Sequence, residues 1–251
     1  MNFQQKLDKI VKKNNSLVCV GLDKSDFKFN KAIIDSTCDL VCAYKPNSAF
    51  YEAYGVEGIG QLKKTCDYLQ KKYPEIPIIL DAKRADIGST NEGYVKYAFD
   101  WLGADAITLQ PYLGSEAIEP FLDRRDKGCI ILCRTSNPGA GEFQDLKAGN
   151  KPIYIIVAEN VVTKWNVNNN CLLVVGATYP KEMKAIRKIA GDMTFLVPGI
   201  GAQGGDVKKT VMAGLNSKKA GMIINSSRGI IFAKNPREET IKLRDEINKY
   251  R

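Results

Sequence analysis

The chain has 251 residues, 44% of them hydrophobic and 26% charged, a composition that supports a large buried core and excludes an intrinsically disordered chain. Its formal charge is +9, but the lysines stand singly or in pairs among Asp and Glu, which reads as a solvated surface and not as a nucleic-acid-binding face. There is no histidine; this excludes Ser-His-Asp and Cys-His nucleophiles, HExxH metal sites and imidazole bases, and leaves acid and base work to Lys, Asp, Glu, Tyr or Cys.

The first element is an amphipathic helix: Phe3, Leu7, Ile10 and Val11 recur at helical spacing among charges, without the unbroken apolar block of a signal peptide. A cytoplasmic protein is expected, and no apolar run approaches the roughly 18 residues that a membrane span needs. Eight short apolar runs then follow in order, at 17–23, 40–47, 76–83, 104–111, 128–135, 171–178, 195–202 and 221–228. Amphipathic stretches such as Gly60 to Lys72 and Tyr94 to Leu102 separate them and are long enough for crossover helices between parallel strands. Eight such alternations predict an α/β fold, a single (β/α)8 TIM barrel over residues 1–251. An open doubly wound sheet fits less well, because no GxGxxG follows the first strand and polar residues end nearly every strand, as on a barrel's catalytic rim. Residues 136–152, rich in Gly, Pro and Asn, form the one long loop, either a lid or a solvent excursion. Cys19, Cys42, Cys129, Cys133 and Cys171 lie in apolar runs and read as core thiols in a reducing compartment. With no CxxC pair and no histidine, no metal site is expected.

The stretch ILDAKRADIGST carries the chemistry. Asp81 and Lys83 stand two apart at the end of an apolar strand, so their side chains share a side while Arg84 faces elsewhere. Opposite charges at a barrel mouth are costly to desolvate unless paired or used. A strand-capping salt bridge would account for them alone. Lys45, ending the second strand in AYKPN, adds a third charge on the same rim, and Asp86 and Thr90 follow close behind.

DAKRADIGST resembles the DxKRxDIxxT signature of the orotidine 5′-monophosphate decarboxylases. VGLD with Asp23, YKPN with Lys45, TSNPGA with Ser136, PGIGAQGGD with Gln203 and INSSRGI with Arg228 are similar to that family in the same order, from strand one to strand eight. The TSNPG form resembles the family's second sequence branch. The resemblance implies cofactor-independent decarboxylation of a pyrimidine nucleotide, orotidine 5′-monophosphate, to uridine 5′-monophosphate in pyrimidine biosynthesis. Lys45, Asp81, Lys83 and Asp86 would be the catalytic set, with Lys83 stabilising the C6 carbanion and then donating the proton. It further implies that Asp23 and Lys45 meet ribose hydroxyls, with Asn47 nearby, and that Ser136 meets the pyrimidine edge. Pro198, Gln203, Gly204 and Arg228 would complete the substrate contacts, the phosphate lying between the loops after strands seven and eight. In the family the residues matching Asp86, Ile87 and Thr90 come from the partner subunit, so a homodimer is expected. Tyr112 and Tyr179 read as packing residues.

Three other readings remain at this point. A magnesium-dependent keto-sugar-phosphate decarboxylase shares a DxKxxD motif, a Schiff-base aldolase needs a strand-end lysine, and a basic nucleic-acid-binding module would use the net charge. The last lacks a basic stripe with interleaved aromatics.

Overall fold

The computed structural model describes residues 1–200 and 205–251. Among them the eight expected runs form strands β1 (Val18–Gly21), β2 (Ala43–Lys45), β3 (Ile79–Arg84), β4 (Ala106–Leu109), β5 (Gly128–Arg134), β6 (Cys171–Val175), β7 (Phe195–Val197) and β8 (Met222–Ser226). Each pairs in parallel with its sequence neighbours, and β8 returns to β1. The ring closes between β2 and β3 through bridges Tyr44 to Ile78 and Asn47 to Asp81, with the Asp81 N–H donating to the Pro46 carbonyl at 2.9 Å. An open sheet is thereby excluded. Nearly every strand residue is buried, as expected where a packed interior covers one face and helices the other.

The crossover helices include Phe27–Thr37, Gly55–Lys72, Ser115–Leu122, Pro180–Ala190, Val207–Gly214 and Pro236–Asn248. The stretch predicted at Tyr94 to Leu102 differs in detail: an α-helix over Thr90–Val95 passes into a wider π-helical turn over Lys96–Trp101. At the opposite end the amino-terminal helix Phe3–Asn14, capped by the Asn2 side chain, buries Phe3, Leu7, Ile10 and Val11 as their spacing predicts. It seats against the starts of the strands. Lys6 pairs with Asp105 at 2.8 Å, and a side chain at Gly128 would collide with the Phe3 ring, a Cβ there lying 2.7 Å from Cδ1.

Residues 136–152 are not an unstructured excursion. They hold a 3-10 turn (Pro138–Ala140), a helical turn (Gly141–Gln144) and a small hairpin pairing Lys147–Ala148 with Lys151–Pro152. All seven cysteines are free, and all but Cys38 are buried.

Candidate active site

The carboxyl ends of the strands surround a cavity of about 760 Å3. Its lining includes one ring of inward-facing strand residues. Lys45, Asp81 and Thr108 from β2 to β4 and Asn225 from β8 make it polar on one side, and Leu132, Val174 and Leu196 from β5 to β7 make it apolar on the other. An ion placed here meets little mobile solvent on the apolar side, which strengthens its interaction with the fixed charges opposite.

Asp81 is the hub. One carboxylate oxygen accepts from Lys45 Nζ at 2.9 Å and the other from Lys83 Nζ at 2.6 Å. The Asn47 amide reaches the first oxygen at 3.4 Å, and the Thr108 hydroxyl donates to the second at 3.0 Å. Burial acts to raise the Asp81 pKa, but the two ammonium groups outweigh it and hold the carboxyl well below the usual carboxylate range. Burial likewise acts to lower the Lys45 pKa, and the carboxylates of Asp81 and Asp23 overcome it and raise it. The two lysines differ in access: the Lys45 side chain is 5% exposed and that of Lys83 is 49% exposed. Arg84 turns away to pair with Glu52.

Lys83 has a backbone feature that its residue type does not announce. Its φ is +48°, in the left-handed region that disfavours side-chain-bearing residues. The cause is visible in the register, where Leu80 pairs with Ile107 and Arg84 with Leu109. Three residues of β3 therefore stand against Thr108 alone, a bulge of the kind that re-aims side chains near functional sites.

Asp23, Asn47, Ser136, Pro198 and Arg228 also line the cavity, as the sequence suggests. Gln203 and Gly204 lie outside the described residues. Asp86, Ile87 and Thr90 are not brought to this chain's cavity. Asp86 is tied by its N–H to the Asn91 side chain at 2.8 Å, and Ile87 and Thr90 are exposed beside it. Asp23 Oδ1 and Asn225 Oδ1 are buried acceptors that receive no hydrogen bond from any described residue, so each is suited to a donor on a bound molecule.

Sequence reasoning passed over Thr108, Asn225 and Arg134. Arg134, at the end of β5, is 1% exposed and anchors the long loop, donating to Gln144 Oε1 at 3.2 Å and Asp145 Oδ2 at 3.1 Å. Tyr179, expected as plain packing, lies against that guanidinium. Tyr112 is no core residue: it is 76% exposed and meets Phe143 of the loop edge-on at 5.7 Å. Among the described residues no group of three His, Cys, Asp or Glu is placed to hold a metal ion.

Residues 16–243 match the model of the orotidine 5′-phosphate decarboxylase / HUMPS family. The chain is 45% identical to an orotidine 5′-phosphate decarboxylase of Janthinobacterium sp. (strain Marseille), covering 100% of this chain and 99% of that one. Its fold is similar to a Leishmania donovani OMP decarboxylase, with a TM-score of 0.94 and 41% identity over 100% of this chain and 99% of the other. It also matches a Leishmania donovani UMP synthase with a TM-score of 0.95 and 42% identity, where its whole length covers 56% of that longer chain.

Proposed function

The chain belongs to the orotidine 5′-phosphate decarboxylase / HUMPS family, and from that premise we infer that it is a carboxy-lyase that converts orotidine 5′-monophosphate to uridine 5′-monophosphate and carbon dioxide in pyrimidine biosynthesis. One observation carries the reading: a buried carboxylate, Asp81, held on both oxygens by ammonium groups at the floor of a nucleotide-sized cavity.

In this reaction the bond from C6 to the carboxylate breaks and its electron pair stays on C6. No electron sink lies within the pyrimidine at that position, so the protein stabilises the pair electrostatically. The Lys83 ammonium supplies that charge and then its proton, which forms the new C6–H bond. Lys45 and Asp81 fix the ammonium in place, and preorganisation of this kind costs nothing at the moment of reaction. The Asp23 oxygen that no described residue donates to suits a ribose hydroxyl, and Arg228 at the rim suits the phosphate, whose oxygens match its planar fork. Ser136, which also lines the cavity, suits the pyrimidine edge. Asp86, Ile87 and Thr90, exposed or half-buried beyond this chain's cavity, fit a homodimer in which each subunit completes its partner's site. The whole chain would act as one barrel domain. The free thiols suit a reducing, cytoplasmic compartment, and no helix among the described residues is long and apolar enough to cross a membrane.

The test is loss of orotidine 5′-monophosphate absorbance with a chelator present, run beside Lys83→Ala. Metal-independent turnover abolished by the substitution supports the reading. An inactive, well-folded wild-type protein overturns it.

A further inference from the structure

We propose that Thr108, in the middle of β4, is the positioning residue that sets where the Lys83 ammonium stands, an inference that rests on the decarboxylase reading for its kinetic consequence. The bulge in β3 is where the argument begins. Between the pairs Leu80 to Ile107 and Arg84 to Leu109, β3 spends Asp81, Ala82 and Lys83 against the single residue Thr108. A bulge of this size leaves backbone groups without their ladder partners. The Lys83 N–H is such a group, and it donates to Thr108 Oγ1 at 3.0 Å.

The same oxygen does a second task. A hydroxyl has one proton and lone pairs to accept with. Thr108 spends its proton on Asp81 Oδ1 at 3.0 Å, the very oxygen that receives Lys83 Nζ at 2.6 Å. Because that carboxylate is ionised and can only accept, the direction of both bonds is fixed: Lys83 N–H to the Thr108 oxygen, and the Thr108 proton to Asp81. One side chain, 1% exposed, thus ties the Lys83 backbone to the carboxylate that holds the Lys83 head.

Closing this loop matters because Lys83 sits at φ +48°. A lysine left to itself returns to negative φ, and rotation at its Cα swings the whole side chain away from its present direction. Asp81 pulls on the ammonium at one end; Thr108 holds the backbone at the other. Without Thr108, the flexible four-carbon stem has one anchor instead of two, and an ammonium displaced by about 1 Å from the developing carbanion loses much of its effect. Ground-state binding depends on other groups, among them Asp23 and Arg228 at the rim, so the loss falls on kcat.

The comparison is Thr108→Val, which keeps the shape and removes both bonds, against Thr108→Ser, which keeps the hydroxyl. Expected for Thr108→Val is a fall in kcat on the order of 30-fold, about 2 kcal/mol of barrel-floor positioning at 1.36 kcal/mol per decade. KM, uridine 5′-monophosphate affinity and the kcat of Thr108→Ser should stay within a factor of about 3 of wild type. Thr108→Val with unchanged kcat, or Thr108→Ser impaired as deeply as Thr108→Val, overturns the proposal. Should the valine variant not fold, Thr108→Ala takes its place with the same expectation. A crystal structure of either variant gives a reading without activity: Lys83 leaves the left-handed region if Thr108 holds it there, and stays if it does not. Wild-type protein inactive on orotidine 5′-monophosphate would sink the decarboxylase reading, while the Lys83 backbone angle still decides the role of Thr108.

Discussion

The guanidinium of Arg134 lies 3.8 Å from the centre of the Tyr179 ring. Strand-end arginines commonly reach into solvent; this one is pinned between an aromatic face and the loop it holds, where Gln144 also bonds the Thr135 N–H and hydroxyl. Ser136 follows Thr135 directly, so the anchor fixes the chain on which Ser136 stands. Lysine cannot reproduce a planar fork stacked on a ring. Arg134→Lys is expected to raise amide exchange across residues 136–152 and to lower kcat/KM by about tenfold, roughly the loss of one charge-assisted contact. Unaltered exchange in that segment would show that the loop is held by something else.

Gly176 imposes a second constraint on the same loop. A Cβ there would stand 2.7 Å from Ser136 Cβ and 2.8 Å from its backbone nitrogen. Backbone cannot yield as a flexible side-chain tip does, so Gly176→Ala should push Ser136 outward at a cost of about 1–3 kcal/mol in stability. KM for orotidine 5′-monophosphate should rise. A variant with wild-type KM and melting temperature would mean that Ser136 moves aside freely.

The proposed sharing of sites between subunits has a test of its own. Lys83→Ala and Asp86→Asn should each be inactive as homodimers. Mixed one to one and allowed to exchange subunits, they should recover about a quarter of wild-type activity, because half the dimers are mixed and each has one intact site. No recovery would place Asp86 in the site of its own chain, and an active Asp86→Asn homodimer would place it in none.

Acid stability should reveal Asp35, which accepts from Lys31 at 2.7 Å, Tyr73 at 2.8 Å, Lys72 at 3.1 Å and Tyr68. Burial acts to raise its pKa, but these donors prevail and lower it below the usual range. A carboxyl with a depressed folded pKa adds stability above its unfolded value, about 3.9, and loses that contribution as pH falls toward the folded one. Asp35→Asn should therefore cost about 1 kcal/mol at pH 7, after allowance for solvent screening, and less at pH 3. Urea midpoints at the two pH values provide the check, and an equal gap at both would count against it.

Most of the barrel is legible in the sequence because each strand is buried on both faces and so reads as an apolar run with a polar end. Asp81, Lys83 and Lys45 are legible for the converse reason, as charges where the pattern asks for none. Thr108 is hidden because threonine is a good strand former and its hydroxyl gives no contrast within AITL. Arg134 is hidden because its partners, Gln144 and Asp145, stand in a loop without periodicity. The left-handed Lys83 could not be read at all: the bulge is a mismatch between two strands, and no residue in one of them encodes it.

The unequal exposure of the two lysines has its own consequence for repeated turnover. On the decarboxylase reading, each cycle draws a proton from Lys83 and none from Lys45. In the single chain water reaches the Lys83 side chain, 49% exposed, and hardly reaches that of Lys45, 5% exposed. The site thus separates a renewable proton from a permanent charge. On that reading the proton returns through the open mouth of the cavity, and the chain's lack of histidine is no obstacle to it.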